Sequence, residues 1–344
     1  MKNTLLLFSI FILNSTHAQV SDFKKIDFNK ADKIAKLQEG HGLDNLPVLA
    51  HQLTSELDSE VEKFRAIYMW VCNNIKGDIS QHNIVSRKRN KYKNDSISYL
   101  KWNNEYKKKT FKTLLKHQKT MCTGYAYLIK ELCFIANIES EIIDGYGRTV
   151  NSNIFNLDMA NHSWNAVKLN NKWYLCDATW SSGYSLENSI FIKDYNDGYF
   201  LTDPILFARN HFPLDKKWFL DNILADTEFV AAPLVYGETF KHQIIPLSPA
   251  TMHIKTTTHN EISFSFKTPH HISKDRINLV QYYGNNEKIF PIYAIRNEND
   301  LISFDYTFEK KGTYDVHLKI DNDIVATYII QIPKIPAGSL SLSK

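Results

Sequence analysis

The sequence predicts an α+β fold in which a helical N-terminal stretch gives way to strands and the chain ends in an all-β sandwich. Three observations carry this. Within residues 32–75 apolar side chains recur at helical spacing, with Phe64, Ile67, Tyr68 and Val71 on one face. Beyond Asn137 the periodicity changes to two. From about Tyr236 seven short candidate strands follow one another between polar turns.

Ser59 and Glu62 form a Ser-x-x-Glu capping box just ahead of the first apolar face. Residues 122–136 read as a second helix, closed by Asn137. Residues 142–146 read as a strand, and residues 162–169 and 172–180 as two more around Asn170-Asn171. Asparagine tolerates the left-handed conformation that a two-residue hairpin turn requires. Residues 181–225, rich in aromatics and turn formers, are expected to wrap the first domain. The candidate sandwich strands are 252–257, 261–267, 277–283, 289–295, 301–308, 313–320 and 324–332. Gly312-Thr313-Tyr314 resembles a tyrosine corner, which makes the sandwich immunoglobulin-like. No cysteine stands two residues after Tyr314, so an antibody-type bridge is not expected. Pro333, Pro336 and the Ser-rich end read as a frayed tail.

The length of 344 residues suits two domains, at roughly 150 residues each. With 43% hydrophobic residues the chain can build buried cores, and only 12 Gly and 10 Pro exclude a collagen-like or low-complexity chain. The N-terminus reads as a secretory signal: Lys2, a short apolar run from Leu5 to Leu13, then Thr16 and Ala18 at a small-residue cleavage site. The apolar run has nine residues, against about 20 for a spanning helix. Export with cleavage near Ala18, to the periplasm or outside the cell, is the expectation, and Gln19 offers no lipid-bearing cysteine. Of the four cysteines, at most one pair is expected to bridge if one is a nucleophile. Formal charge is only +4, yet residues 87–119 hold twelve Lys or Arg against Asp95 and Glu105. Such a stretch suits an acidic partner or an anionic surface, or is a solvated insertion. No nucleic-acid motif accompanies it.

The chemistry-bearing segment is Met121-Cys122-Thr123-Gly124-Tyr125-Ala126, where a cysteine opens a helix. Backbone N–H groups and the dipole at that end favour a thiolate and can receive an oxyanion. Gly124 lets a substrate backbone or a neighbouring strand come close. Cys133, mid-helix among Leu132, Phe134 and Ile135, reads as a core residue. Downstream stand Asn161-His162-Ser163-Trp164-Asn165 and Trp173-Tyr174-Leu175-Cys176-Asp177-Ala178-Thr179-Trp180. A turn at Asn170-Asn171 makes Asp177 the diagonal neighbour of His162 on one face, within reach of its imidazole. Asp177 then fixes the imidazole's tautomer, leaving its other nitrogen to take the proton of Cys122. The same parity puts Cys176 on the opposite face.

These residues resemble the transglutaminase-like superfamily, in the order C-T-G-Y-A, H-S-W-N, W-Y-L-C-D-A-T-W. The helix around Lys63-Phe64-Arg65-Ala66-Ile67-Tyr68-Met69-Trp70-Val71 and the segment from Asp203-Pro204 through His211-Phe212-Pro213 to Trp218 extend the resemblance to about residues 55–220. It implies a papain-like core of helices packed on an antiparallel sheet, and thiol acyl chemistry on amide bonds. It implies Cys122 as nucleophile, His162 as general base and acid, and Asp177 as the orienting carboxylate. Ser163 stands where the family often has alanine, and Gly77-Asp78 where it often has tyrosine before the aspartate. Beyond the Cys122 amide no oxyanion donor is identifiable, Trp164 and Gln118 being the candidates.

The expected organisation is a signal peptide (1–18), a transglutaminase-like catalytic domain (19–225) with a basic insertion (80–119), a β-sandwich (226–336) and a flexible tail (337–344). No metal or other cofactor is expected, since there is no His-Glu-x-x-His, paired-cysteine or phosphate-loop pattern. His211 and the His270-His271 pair lack carboxylates at metal-ligand spacing and read as structural or surface residues. Trp70, Trp173 and Trp180 read as core. The expected activity is an exported thiol enzyme on peptide or protein amides, hydrolysis being favoured over amine transfer. The competing class is a non-catalytic protein-interaction module on the same fold.

Overall fold

The first helices form where the sequence supplies both an apolar face and a start signal. In the computed structural model they are α1 (Asn29–Leu37), α2 (Leu46–Thr54) and α3 (Glu60–Asn74). The structure describes residues 20–333 apart from Asp158, residues 187–189 and Asn222, so the expected signal segment and tail lie outside the described residues. Asn45 caps α2 by accepting the Val48 N–H. At α3 the expected capping box is present: Ser59 Oγ accepts the Glu62 N–H at 3.3 Å and Glu62 Oε2 accepts the Ser59 N–H at 3.2 Å. Phe64, Ile67, Tyr68, Trp70 and Val71 are fully buried on α3, against which α1 and α2 pack.

The basic insertion is helical. It consists of α4 (Ile79–Lys91) and α5 (Ser96–His117), closed at its root by the parallel pair β1 (Lys76–Gly77) and β2 (Lys119–Thr120). Asp78 and Asp95 supply the two N-caps, each accepting a backbone N–H at 3.0 Å.

Helix α6 (Cys122–Ile135) ends as expected, with Asn137 at a φ of 59°. After β3 (Ser140–Gly147), strands β4 (His162–Leu169) and β5 (Lys172–Cys176) form a hairpin. Asn170 and Asn171 both take positive φ, 50° and 63°, and Asn165 faces Cys176. The second strand is shorter than residues 172–180. Asp177 leaves the ladder to cap α7 (Ala178–Ser182), accepting the Thr179 and Trp180 N–H groups at 2.8 and 3.2 Å. Next come β6 (Gly183–Leu186), β7 (Ile190–Lys193), α8 (Pro204–Phe207) and β8 (His211–Pro213), which closes an antiparallel sheet of order β5-β4-β3-β8. Helix α6 packs on β3 and β4, and α3 packs on α6 and α7.

The remaining elements are α9 (Asp226–Ala231), β9 (Leu234–Val235), α10 (Gly237–Lys241), β10 (Ile245–Ser248), β11 (His253–Lys255), β12 (Glu261–Lys267), β13 (Ile277–Tyr283), β14 (Asn286–Phe290), β15 (Tyr293–Glu298), β16 (Leu301–Thr307), β17 (Gly312–Ile320) and β18 (Asp323–Ile332). One sheet runs β10-β12-β16-β15 and the other β11-β18-β17-β13-β14, with β9 added beside β18. Their inner faces share a separate core that includes Phe264, Phe304, Leu318 and Tyr328. Residues 289–295 are not one strand: Pro291, which has no N–H for a ladder, separates β14 and β15 into different sheets. Tyr314 donates its hydroxyl to the Lys310 carbonyl at 2.7 Å, the bond a tyrosine corner makes.

Asn171→Val places a β-branched residue at positive φ. It should cost about 1–2 kcal/mol, read as a lowered urea midpoint with unchanged slope.

Candidate active site

Cys122 occupies the first position of α6, where the β2 strand turns into the helix. What comes close to Gly124 is that strand. A Cβ on Gly124 would lie 2.0 Å from Thr120 Oγ1. The Asn165 side chain fastens α6 to the sheet by donating to the Ala126 carbonyl at 3.0 Å. His162 is the first residue of β4, and Asp177 is the cap that follows β5. The local sequences that start a helix, start a strand and end a strand therefore converge on one point.

His162 Nε2 lies 2.6 Å from Asp177 Oδ2. The His162 imidazole and the Ser163 backbone N–H lie beside the Cys122 sulfur and both favour its thiolate. Contact between histidine and aspartate was expected from strand pairing; it is made from the helix cap instead, because the ladder ends at Asn165 and Cys176. Cys176 faces away, in the core beneath α3 and α6.

Electrostatics separate the four thiols, all of them free. Burial pushes Cys72, Cys133 and Cys176 above the ordinary thiol range. Burial acts on Cys122 as well, but the hydrogen bond and charge of His162 and the Ser163 N–H outweigh it, and the thiol is lowered. Arg89 of α4 adds to that lowering, so the insertion's charge reaches the site. Burial alone would lower His162; the charge and hydrogen bond of Asp177 raise it to about 10. Asp177, fully buried, is nevertheless held below the usual carboxylate range by His162 and His211. These shifts favour transfer of the Cys122 proton to His162, with the Asp177 carboxylate behind the imidazole.

His211 is buried and Trp180 packs against a core cluster, as expected, and both also touch the His162–Asp177 pair. His211 Nε2 is 3.1 Å from Asp177 Oδ2, a carboxylate 34 residues earlier in the chain that no local spacing reveals. The Trp180 ring stacks on His162 with centroids 4.5 Å apart and lies 4.4 Å from His211. His270 and His271 are exposed, and Trp70 is in the core, as expected. Among the described residues, His162, Asp177 and His211 are the group whose ligand atoms could surround a metal. Yet the separations of 2.6 and 3.1 Å are hydrogen-bond lengths, whereas zinc bonds of about 2.0–2.2 Å hold tetrahedral ligand atoms about 3.3 Å apart. The cluster is arranged to share protons.

Of the two oxyanion candidates, Gln118 spends its side-chain amide on the His41 carbonyl at 2.5 Å. Trp164 keeps its Nε1–H buried and without a hydrogen-bond partner. The Gln81 side chain on α4 is likewise 5% exposed with both amide atoms unpartnered. Nothing in the spacing of the sequence marks Gln81.

Residues 47–178 match the family model of the transglutaminase-like superfamily. The human kyphoscoliosis peptidase is 33% identical over 212 residues, covering 60% of this chain and 28% of that protein. Hillarin of Drosophila melanogaster is 24% identical over 232 residues, covering 63% of this chain and 26% of that protein. The chain thus spans roughly a quarter of the length of these relatives. A solved structure titled "Crystal structure of a TGase" covers 52% of this chain and 40% of that one, at 18% identity and a TM-score of 0.27.

Two outcomes follow for pH. Asp177 has a lowered folded value, so its contribution to stability is present above its ordinary value of 3.8 and is lost as pH falls through the folded one. His162 has a raised value, so its contribution is complete below its ordinary 6.5 and is lost as pH rises towards about 10. Melting temperature against pH should therefore plateau between these limits, and Asp177→Asn should lower the plateau and flatten both flanks.

Proposed function

Through residues 47–178 the chain belongs to the transglutaminase-like superfamily, and on that footing we propose that it is a thiol enzyme acting on peptide or protein amide bonds. Cys122, His162 and Asp177 form the triad. The observation that carries this reading is that Cys122, alone among four buried thiols, is lowered, and by a histidine bonded to a buried carboxylate. The Cys122 sulfur attacks the amide carbonyl, and His162 passes its proton to the departing amine as the C–N bond breaks. The product is a thioester on Cys122. His162 then takes a proton from water, whose oxygen displaces the thiol and releases the acid. The Cys122 backbone N–H, at the start of α6, is the donor available to the oxyanion.

Water is the favoured acceptor over an amine, a preference supported by a relative whose name denotes a peptidase. The signal-like N-terminus supports export to the periplasm or the medium. No helix among the described residues is long and apolar enough to cross a membrane. The α4–α5 hairpin, with its excess of Lys and Arg, supports an acidic partner or substrate.

A second reading, a non-catalytic interaction module, draws support from one observation. Cys122 and His162 are each only 8% exposed, so the site is closed as it stands. A thiol-directed probe separates the two. The enzyme reading expects labelling of Cys122 at neutral pH, abolished in Cys122→Ala; no labelling of the wild type favours the module. A peptide library incubated with wild type and Cys122→Ala, read by mass spectrometry, should show cleavage or a one-dalton deamidation shift in the wild type alone. Asp177→Asn should lower the turnover by about 10³-fold or more, with the fold intact by circular dichroism.

A further inference from the structure

We infer that His211 is a positioning residue of this site: a ring that donates from Nε2 to hold the Asp177 carboxylate in place against His162 and is itself set by Asn210. Its catalytic meaning rests on the thiol-enzyme reading above.

His211 opens β8 and is 1% exposed. Its Nε2 points at Asp177 Oδ2, the oxygen that His162 also reaches, while Oδ1 is occupied by the Thr179 and Trp180 N–H groups. The ring is clamped between Phe207, with centroids 3.9 Å apart, and Trp180 at 4.4 Å. Trp164 stands edge-on at 4.9 Å. Nδ1 is 2.7 Å from Asn210 Oδ1, and Asn210 Nδ2 donates to the Tyr199 hydroxyl at 3.4 Å.

Hydrogen-bond arithmetic then fixes the proton that matters here. Asp177 is ionised and accepts only, so the bond at 3.1 Å requires a hydrogen on His211 Nε2. The ionisable groups facing His211 are Asp177, His162 and Tyr199. Burial and the neighbouring His162 charge outweigh Asp177 and push His211 down to about 4.

The donor on Asp177 also tunes the pair. Its N–H dipole presents positive potential towards His162 and Cys122, which lowers the values of both groups. Removing it should move both upward together, by about 0.5–1 pH unit.

The test is the pH profile of Cys122 alkylation by iodoacetamide, followed by peptide mapping, in wild type, His211→Phe and His211→Gln. The wild type should react well below the ordinary thiol range. His211→Phe should shift both limbs upward, and His211→Gln, which retains an N–H donor, should restore them. In ¹⁵N-histidine-labelled wild type, the His211 resonances should report hydrogen on Nε2. Unshifted limbs in a folded His211→Phe protein, or an Nε2 without hydrogen, overturn the inference. A wild type whose Cys122 does not react below pH 8 overturns the thiol-enzyme reading instead, so the two failures are distinguishable.

Discussion

A carboxylate with no exposure to solvent stays ionised only where enough donors replace its water. Asp177 has four: two backbone N–H groups from the helix that it caps and two imidazoles from separate strands. Those donors come from α7, β4 and β8, so the charge can be buried only when the sheet, the short helix and the late fourth strand are assembled. Removing any one of these elements leaves an unpaired charge in the interior. The same contacts that settle this packing problem also orient His162 towards Cys122, so foldedness and reactivity depend on one set of bonds.

The basic insertion is less separate from this centre than its composition suggests. Its root is a two-residue parallel ladder whose second strand leads directly into Cys122. Its first helix carries Arg89, whose charge is felt at the sulfur, and the buried, unpartnered Gln81 amide. A stretch that sequence presents as a charged surface excursion is thus mechanically and electrostatically coupled to the nucleophile. Asp78, buried at the junction, caps α4 and bonds through its own N–H to the Thr120 carbonyl.

Much of this was readable in advance where the information is local. The Ser59–Glu62 box, the Asn170-Asn171 turn and the change of period after Asn137 each depend on a few consecutive residues, and each appears where expected. Parity along the hairpin correctly sent Cys176 to the far face. The misreadings have a common source. Asp177 is both a residue in a strand-like run and a good helix cap, and the cap prevailed, shortening β5. Asp78 and Asp95 are caps of the same kind, and weighing them would have revealed the two helices of the insertion. His211 was beyond local reach, since its partner lies across the sheet and only the closing of β3 against β8 brings them together.

The junction between the two cores has a consequence of its own. Leu234–Val235 lies against Ala326–Thr327 of β18, and His253–Lys255 runs parallel to the same strand further along. The Tyr236 hydroxyl meets Thr327 Oγ1 at 2.6 Å, and the buried Arg148 guanidinium donates to the carbonyls of Val230 and Pro233. The sandwich therefore relies on a residue pair that precedes it to cover part of one sheet edge. A fragment cut after Val235 would bare those backbone groups, leaving a sticky border open to a neighbouring chain. For protein engineering, the usable seam lies upstream of Leu234, even though the strand pattern of the sandwich begins later.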